Sequence, residues 1–310
     1  MTVRAIISKK NRLLAYIPTV FCLSLAIIMI IFGKSLRSGI YTGLLFSLQT
    51  IIPTLFPFFI LSDLWSATFH IKDDGIASKI FERLFRINGI ALSAFLSGMI
   101  CGFPIGVKTA NELYQHKKIS KAEFEHLCCF ANNPSIAFVI SGVGAGILSN
   151  IKFGILLYLA IILSAFTVGI AFRPAERICK DFSYISEQKF NLVNSIKNAA
   201  VTSLNVIAYI IFFSGLIGLL SSFLQKRTTI AMISAFLEIS NAVKLLSELS
   251  AQNQVARLVL IAFALGFSGL SVHMQAFAFL PHEFSRRKYL LIKLAQGCFS
   301  MIYMFLLSFF

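Results

Sequence analysis

Charge is scarce in this chain. Asp, Glu, Lys and Arg make up 13% of its 310 residues, where a soluble globular domain carries about 25%. Acidic side chains are the rarer sign, 13 against 28 Lys and Arg. There is no nucleophile elbow, no metal-binding HExxH and no phosphate-binding loop. These absences exclude the chemistry of a soluble enzyme and argue against ATP-driven transport by this chain alone. The six cysteines (Cys22, Cys101, Cys128, Cys129, Cys179 and Cys298) include no CxxC pair. Most sit in apolar runs, so they read as small buried apolar residues, with no disulfide framework and no zinc site expected.

What is abundant is apolar. Hydrophobic residues reach 57% and the mean hydropathy is +0.81. A water-soluble core cannot absorb that excess, so the chain reads as an all-α, polytopic integral membrane protein of the cell membrane, its principal partner the lipid bilayer. Each span needs about 20 apolar residues. The net charge of +15 would suggest nucleic acid in a soluble protein. Here the basic residues fill the gaps between apolar runs, where they act as topology signals and headgroup contacts. No nucleic-acid partner is expected.

Apolar runs fall near 13–33, 39–65, 89–107, 127–149, 151–172, 198–224, 229–247, 257–280 and 289–310. The first follows Arg4, Lys9, Lys10 and Arg12. It is long for a signal peptide and no A-x-A site precedes Lys34, so an uncleaved first span is expected. Within 72–88, Ile80, Phe81, Leu84, Phe85 and Ile87 fall at helical spacing and predict an interfacial helix. Ser120-x-x-Glu123 predicts a capping box at the start of the following helix. Residues 89–107 hold Gly89, Gly98, Gly102, Pro104 and Gly106, and 229–247 hold Glu238, Ser240, Asn241 and Lys244. Both predict helix–break–helix hairpins that enter the membrane and return, which survive only inside protein or beside a water-filled cavity.

Charge supports that topology. With a cytoplasmic N-terminus and two re-entrant hairpins, Lys34, Arg37, Lys152, Lys226, Arg227, Lys244 and Arg257 lie outside and the other 21 of the 28 basic residues inside, Lys118, Lys180 and Lys293 among them. The hairpins then enter from opposite sides. Ser93-Ala94-Phe95-Leu96 recurs as Ser234-Ala235-Phe236-Leu237, and an interrupted span follows each hairpin, CCFANNPSIAF (128–138) and IAFALGFSGLSVHMQ (261–275). The order of elements predicts two inverted repeats: an anchor at 1–38, a first repeat at 39–172, a cytoplasmic amphipathic linker at 173–197, a second repeat at 198–280 and a C-terminal helix at 281–310. Paired broken helices place a transporter's binding site near the midplane.

The breaks carry the candidate chemistry. Pro134 opens the first broken span, freeing Asn132, Asn133 and Ser135 to face a cavity. In the second, Ser268 lies in the break, while Ser271 and Gln275, four apart, share a helical face that His273 does not. Gly102, Pro104 and Gly106 offer backbone donors and a tight reversal. Glu238 and Asn241 share a face of the second hairpin, and a carboxylate that deep needs a cation, a proton or a hydrogen-bonding ligand. No catalytic residue, metal or cofactor is expected, although sodium or a proton could serve as coupling cation. The substrate-or-ion set is therefore Gly102, Pro104, Gly106, Asn132, Asn133, Ser135, Glu238, Asn241, Ser268, Ser271 and Gln275, the ligand a small polar solute. A homo-oligomer is compatible with the pattern.

The segments PTLFPFFILSDLW (53–65), SGMICGFPIGVKTANELYQHKKIS (97–120), FANNPS (130–135), FLEISNAVKLL (236–246) and GFSGLSVHMQ (266–275) resemble the Gate-domain, or nucleoside-recognition, membrane proteins and, within them, the YlbJ-type sporulation integral membrane proteins. That family is similar to concentrative nucleoside transporters and to the gate of ferrous-iron transporters. The resemblance implies a transporter-like or channel-like core for a nucleoside-like solute or an ion, its site at Gly102–Lys108, Asn132–Ser135, Glu238–Asn241 and Gly266–Gln275, and a link to sporulation. The alternative is a non-transporting scaffold or sensor in a sporulation or envelope complex.

Overall fold

The structure, a computed structural model, describes residue 16 and residues 19–68, 75–174, 191–249 and 254–309. The N-terminal basic cluster, Lys180 and most of the predicted linker lie outside these residues. All regular structure among those described is helical. A short helix α1 (Thr19–Ile31) leads, after a turn at Phe32, into α2 (Gly33–Phe46), a π-helical turn at Ser47–Ile51 and α3 (Ile52–Thr68). The sequence predicts a gap at 34–38. Instead Lys34 and Arg37 lie within α2, because long basic side chains can remain helical while their charged ends reach polar surroundings. The wide π turn precedes Pro53, whose ring would clash with the carbonyl of residue 49 in a regular helix.

Helix α4 (Ile76–Phe85) meets the next helical segment, Gly89–Cys101, at 99°. It buries Ser78, Phe81 and Phe85. Ile80 and Leu84, predicted on the same face, are exposed, because α4 packs along a narrow stripe and the Phe85 ring stacks on Phe130 at 4.7 Å. Helices α5 (Leu92–Cys101) and α6 (Ile105–Gln115) fold back on each other around Gly102–Pro104. Next come α7 (Lys121–Ala131), an irregular stretch at 132–135, a π-helix (Phe138–Ile147) and α8 (Ile151–Ala171). After the undescribed stretch come α9 (Leu192–Leu220), which takes in residues 192–197 of the predicted linker, then α10 (Arg227–Leu237) and α11 (Ile239–Ser247), paired around Glu238. Helix α12 (Gln254–Phe267), a break at Ser268, α13 (Gly269–Phe277) and α14 (Arg286–Leu307) complete the fold.

Among the described residues five helical stretches are long and apolar enough to cross a membrane: 33–61, α8, α9, 254–277 and α14. The leading helices α2 and α3 pack on α9, and α8 packs on α14. The capping box forms as predicted. Ser120 Oγ accepts from Glu123 N at 3.3 Å, and Glu123 Oε2 accepts from Ser120 N at 2.7 Å.

Candidate functional site: a cavity where two hairpin tips meet two broken helices

Both hairpins have their ends together and their tips apart from them. Asn88, before α5, donates its N–H to Glu123 at the start of α7 at 2.8 Å, and α6 runs back to the turn just before Ser120. The tip at Gly102 lies on Ser135, in the middle of the first broken helix. In the second hairpin Arg227 and Glu248 pair across the two ends, and Arg257 Nη1 of α12 donates to the Ser247 carbonyl at 3.2 Å. The tip at Glu238 lies on Gly269, in the break between α12 and α13.

These contacts are why the tips are built of such residues. Gly102 has φ of 83°, open to glycine at little cost, and a Cβ there would overlap the Ser135 backbone. Gly269 has φ of 73° and faces the Glu238 N–H with no side chain between. Gly106 and Gly98 face each other across the first hairpin, both under the Ala131 carbonyl.

Both tips, the first break and helix α13 just past the second break line one pocket. Its polar lining is Ser135, Glu238, Ser240, Ser271 and Gln275. Its apolar wall includes Phe59, Phe103, Phe138, Val206, Ile210 and Val272. Ser271 and Gln275 face it together. His273 turns away, with Nδ1 3.3 Å from the Tyr289 hydroxyl. Glu238 is 1% exposed. One carboxylate oxygen accepts from Ser240 N at 2.9 Å, the other from Asn241 N at 2.7 Å and Asn241 Nδ2 at 2.8 Å. The residue is thus the N-cap of α11, its charge against the positive end of that helix.

Five of the eleven residues singled out in the sequence line the cavity: Gly102, Ser135, Glu238, Ser271 and Gln275. Asn241 stands behind Glu238 and donates to Ser214 Oγ at 2.6 Å. Pro104 and Gly106 shape the first hairpin. Ser268, left-handed at φ of 78°, hydrogen-bonds to the Leu265 carbonyl at 3.2 Å. Asn132 and Asn133 face α14 rather than the cavity. Asn132 Nδ2 donates to the Tyr289 hydroxyl at 2.7 Å, Gln296 Nε2 donates to Asn133 Oδ1 at 2.7 Å, and Asn133 Nδ2 donates to the Phe130 carbonyl at 2.6 Å.

One comparison with known proteins is decisive. The chain is 30% identical over 312 aligned positions, 86% of its own length and 76% of the other's, to the sporulation integral membrane protein YlbJ of Bacillus subtilis (strain 168). The chain belongs to the YlbJ family. It is therefore a multi-pass membrane protein related to a sporulation integral membrane protein. No protein-family model matches it, and no solved structure does.

Within this YlbJ-family chain the residue the sequence conceals is Lys293. The sequence groups it with the loop residues Arg286, Arg287 and Lys288. The structure instead places it inside α14 with no exposed surface. Its ammonium donates to the Asn132 carbonyl and to Gln296 Oε1, both at 2.7 Å. The only signal was a lone lysine one turn and more inside an apolar run. Of the cysteines, Cys101, Cys128 and Cys129 are buried, while Cys22 and Cys298 are exposed on their helices. Cys179 lies outside the described residues.

Proposed function

We propose that this YlbJ-family protein is a transporter or channel for a small polar solute, built of two inverted repeats, each with a re-entrant hairpin and a broken helix, their bounds widened from the expected 39–172 and 198–280 to 33–171 and 192–307 so that α14 closes the second. The observation that carries the reading is one pocket walled by both tips, the first break and helix α13 beyond the second, with a buried carboxylate in it. Irregular backbone at membrane depth is tolerated inside protein or beside a water-filled cavity, and paired broken helices around one pocket are the arrangement of a transporter site. The element order supports the repeat: long span, hairpin, broken helix, span, twice over. The packing of the leading helices on α9 and of α8 on α14 also supports it, since these are like pairs in the two halves. The resemblance to Gate-domain proteins points the same way. The cargo in this reading is a nucleoside-like solute or an ion, with Glu238, Ser271 and Gln275 reading its polar groups and sodium or a proton as coupling cation. The N-terminus is taken as cytoplasmic.

The test is uptake into liposomes reconstituted with the purified protein, offering nucleosides, nucleobases, amino acids and metal ions under sodium and proton gradients. One class should accumulate. Gln275→Leu, which leaves a polar solute one partner short, should lower its uptake about tenfold. If nothing accumulates, the second reading gains: a scaffold or sensor in a sporulation or envelope complex, favoured by the relative's own description as a sporulation protein.

A further inference from the structure

A buried charge in a membrane helix is costly and is normally paired. Lys293 has no carboxylate in ion-pair range among the described residues. Its 2.7 Å bonds go to a backbone carbonyl and a neutral amide oxygen. The carbonyl is that of Asn132, the residue at which α7 stops. Helix ends leave carbonyls without intrahelical partners and carry partial negative charge. At the end of α7 the Phe130 carbonyl is taken by Asn133 Nδ2, while the Asn132 carbonyl is held by the ammonium. The chain then continues through Pro134 to Ser135, which lies on Gly102 and lines the cavity.

From this juxtaposition we infer that Lys293 is a proton-binding site that governs the first break. The protonated ammonium is a cation tethered to α14, seated on the carbonyl at the end of α7 and holding the Asn132–Ser135 segment in place. When an Nζ–H bond breaks and its proton passes to water admitted by the break, the neutral amine keeps two weaker donors and loses its charge. Its hold on the carbonyl then weakens, because the bond is no longer charge-assisted, and the segment can open. This rests on the transport reading only for its purpose, which is to couple a proton to movement of a cavity wall.

Among the described residues, Lys288, earlier on α14 and exposed, is a second cation acting on the Cys129 that Lys293 faces, and α7 also carries His126, its ring bonded to the Gly169 carbonyl. Helix α7 brings Cys129, α13 brings His273 and α14 itself brings Tyr289. On α8 the ionisable side chain at this depth is Tyr158, whose hydroxyl is bonded to the Met99 carbonyl, and on α12 Arg257 lies at the hairpin end, bonded to Ser247.

The experiment is hydrogen–deuterium exchange of peptides covering 128–138 in the full chain, held in nanodiscs, from about pH 6 to about pH 9, the range into which full burial without a carboxylate partner can bring a lysine. Wild type is compared at each pH with Lys293→Arg, which keeps the charge throughout and cancels the intrinsic pH dependence of exchange. Expected is equal protection at the acid end and about tenfold faster exchange in wild type at the alkaline end. Lys293→Gln should exchange fast at both. A wild-type to Lys293→Arg ratio that stays flat across the range overturns the inference, including the case in which His273 is the titrating group. If Lys293→Arg does not fold, α8 peptides of wild type serve as reference. A pH response confined to 128–138 then supports the inference, and one shared by α8 or absent overturns it. Exchange is independent of solute. A pH response without any liposome uptake sinks the transport reading and leaves the proton site standing, and uptake with a flat ratio does the reverse.

Discussion

Asn241 donates twice to Glu238, from its backbone N–H at 2.7 Å and from its side-chain amide at 2.8 Å, both to the same carboxylate oxygen. The same amide donates to Ser214 on α9 at 2.6 Å. One residue therefore ties the tip of the second hairpin to its own helix and to the neighbouring span, and Glu238 serves both as cap and as cavity wall.

The two roles of Glu238 separate by substitution. Glu238→Gln presents an NH2 to one pair of donors and should cost about 1–3 kcal/mol, the range for leaving buried hydrogen-bonding groups unsatisfied. Glu238→Ser retains a good N-cap without the charge. Thermal unfolding in detergent should show Glu238→Ser the more stable of the two. Ion-dependent liposome uptake should be lost in both. Normal uptake with unchanged ion dependence in Glu238→Ser would reduce Glu238 to a cap.

Asn133 and Gln296 join the first break to α14. Removing either leaves a buried amide group without its partner, so Asn133→Leu and Gln296→Leu should each destabilise by about 1–3 kcal/mol. The double variant should cost less than the sum, since neither amide is then left without the other, while the Phe130 carbonyl and Lys293 each lose a partner whether the changes are single or combined. Additive losses in thermal unfolding would show that the 2.7 Å bond contributes nothing of its own.

These residues also show what a sequence can and cannot reveal. Pro134, Gly102 and the Ser120–Glu123 pair act over a few residues of chain, and each sits in the local structure its spacing implies. Ser271 and Gln275 share a face because helical geometry alone requires it. The burial of Lys293 depends on α14 meeting the end of α7, 161 residues away, and no local pattern encodes that. The same long-range contact draws Asn132 and Asn133 off the cavity. Glu238 read as an unpaired carboxylate because its partners are mostly backbone N–H groups, which a sequence does not display.

Glu123 does more than close the capping box. While one carboxylate oxygen serves Ser120, the other accepts from Asn88 N at 2.8 Å, and the side chain is 1% exposed. Ser120→Ala loses one cap and should cost about 0.5–2 kcal/mol. Glu123→Ala loses the cap and the tether of the first hairpin and should cost more. Equal shifts in melting temperature would show the tether to be idle.

The last prediction concerns topology. Lys117 and Lys226 are exposed in turns at the ends of helices. Between them run three long segments: α7 with the π-helix (Lys121–Ile147), α8 and α9. The first of these is about 40 Å long at 1.5 Å per residue, enough to cross a hydrocarbon core of roughly 30 Å even with its break. Three crossings place the two turns on opposite sides of the membrane. The excess of basic residues in loops on the side of Lys117 predicts a cytoplasmic placement for that side. Lys117→Cys and Lys226→Cys, each made in a cysteine-free background because Cys22 and Cys298 are exposed thiols, should then differ in intact cells. An impermeant maleimide should label position 226 directly and position 117 only after the cells are opened. Labelling of both from outside would mean that one of the three segments does not cross, and the inverted relation of the two hairpins would fall with it. Labelling of 117 alone would keep the crossings and reverse the whole chain, which overturns the cytoplasmic N-terminus and leaves the repeat intact.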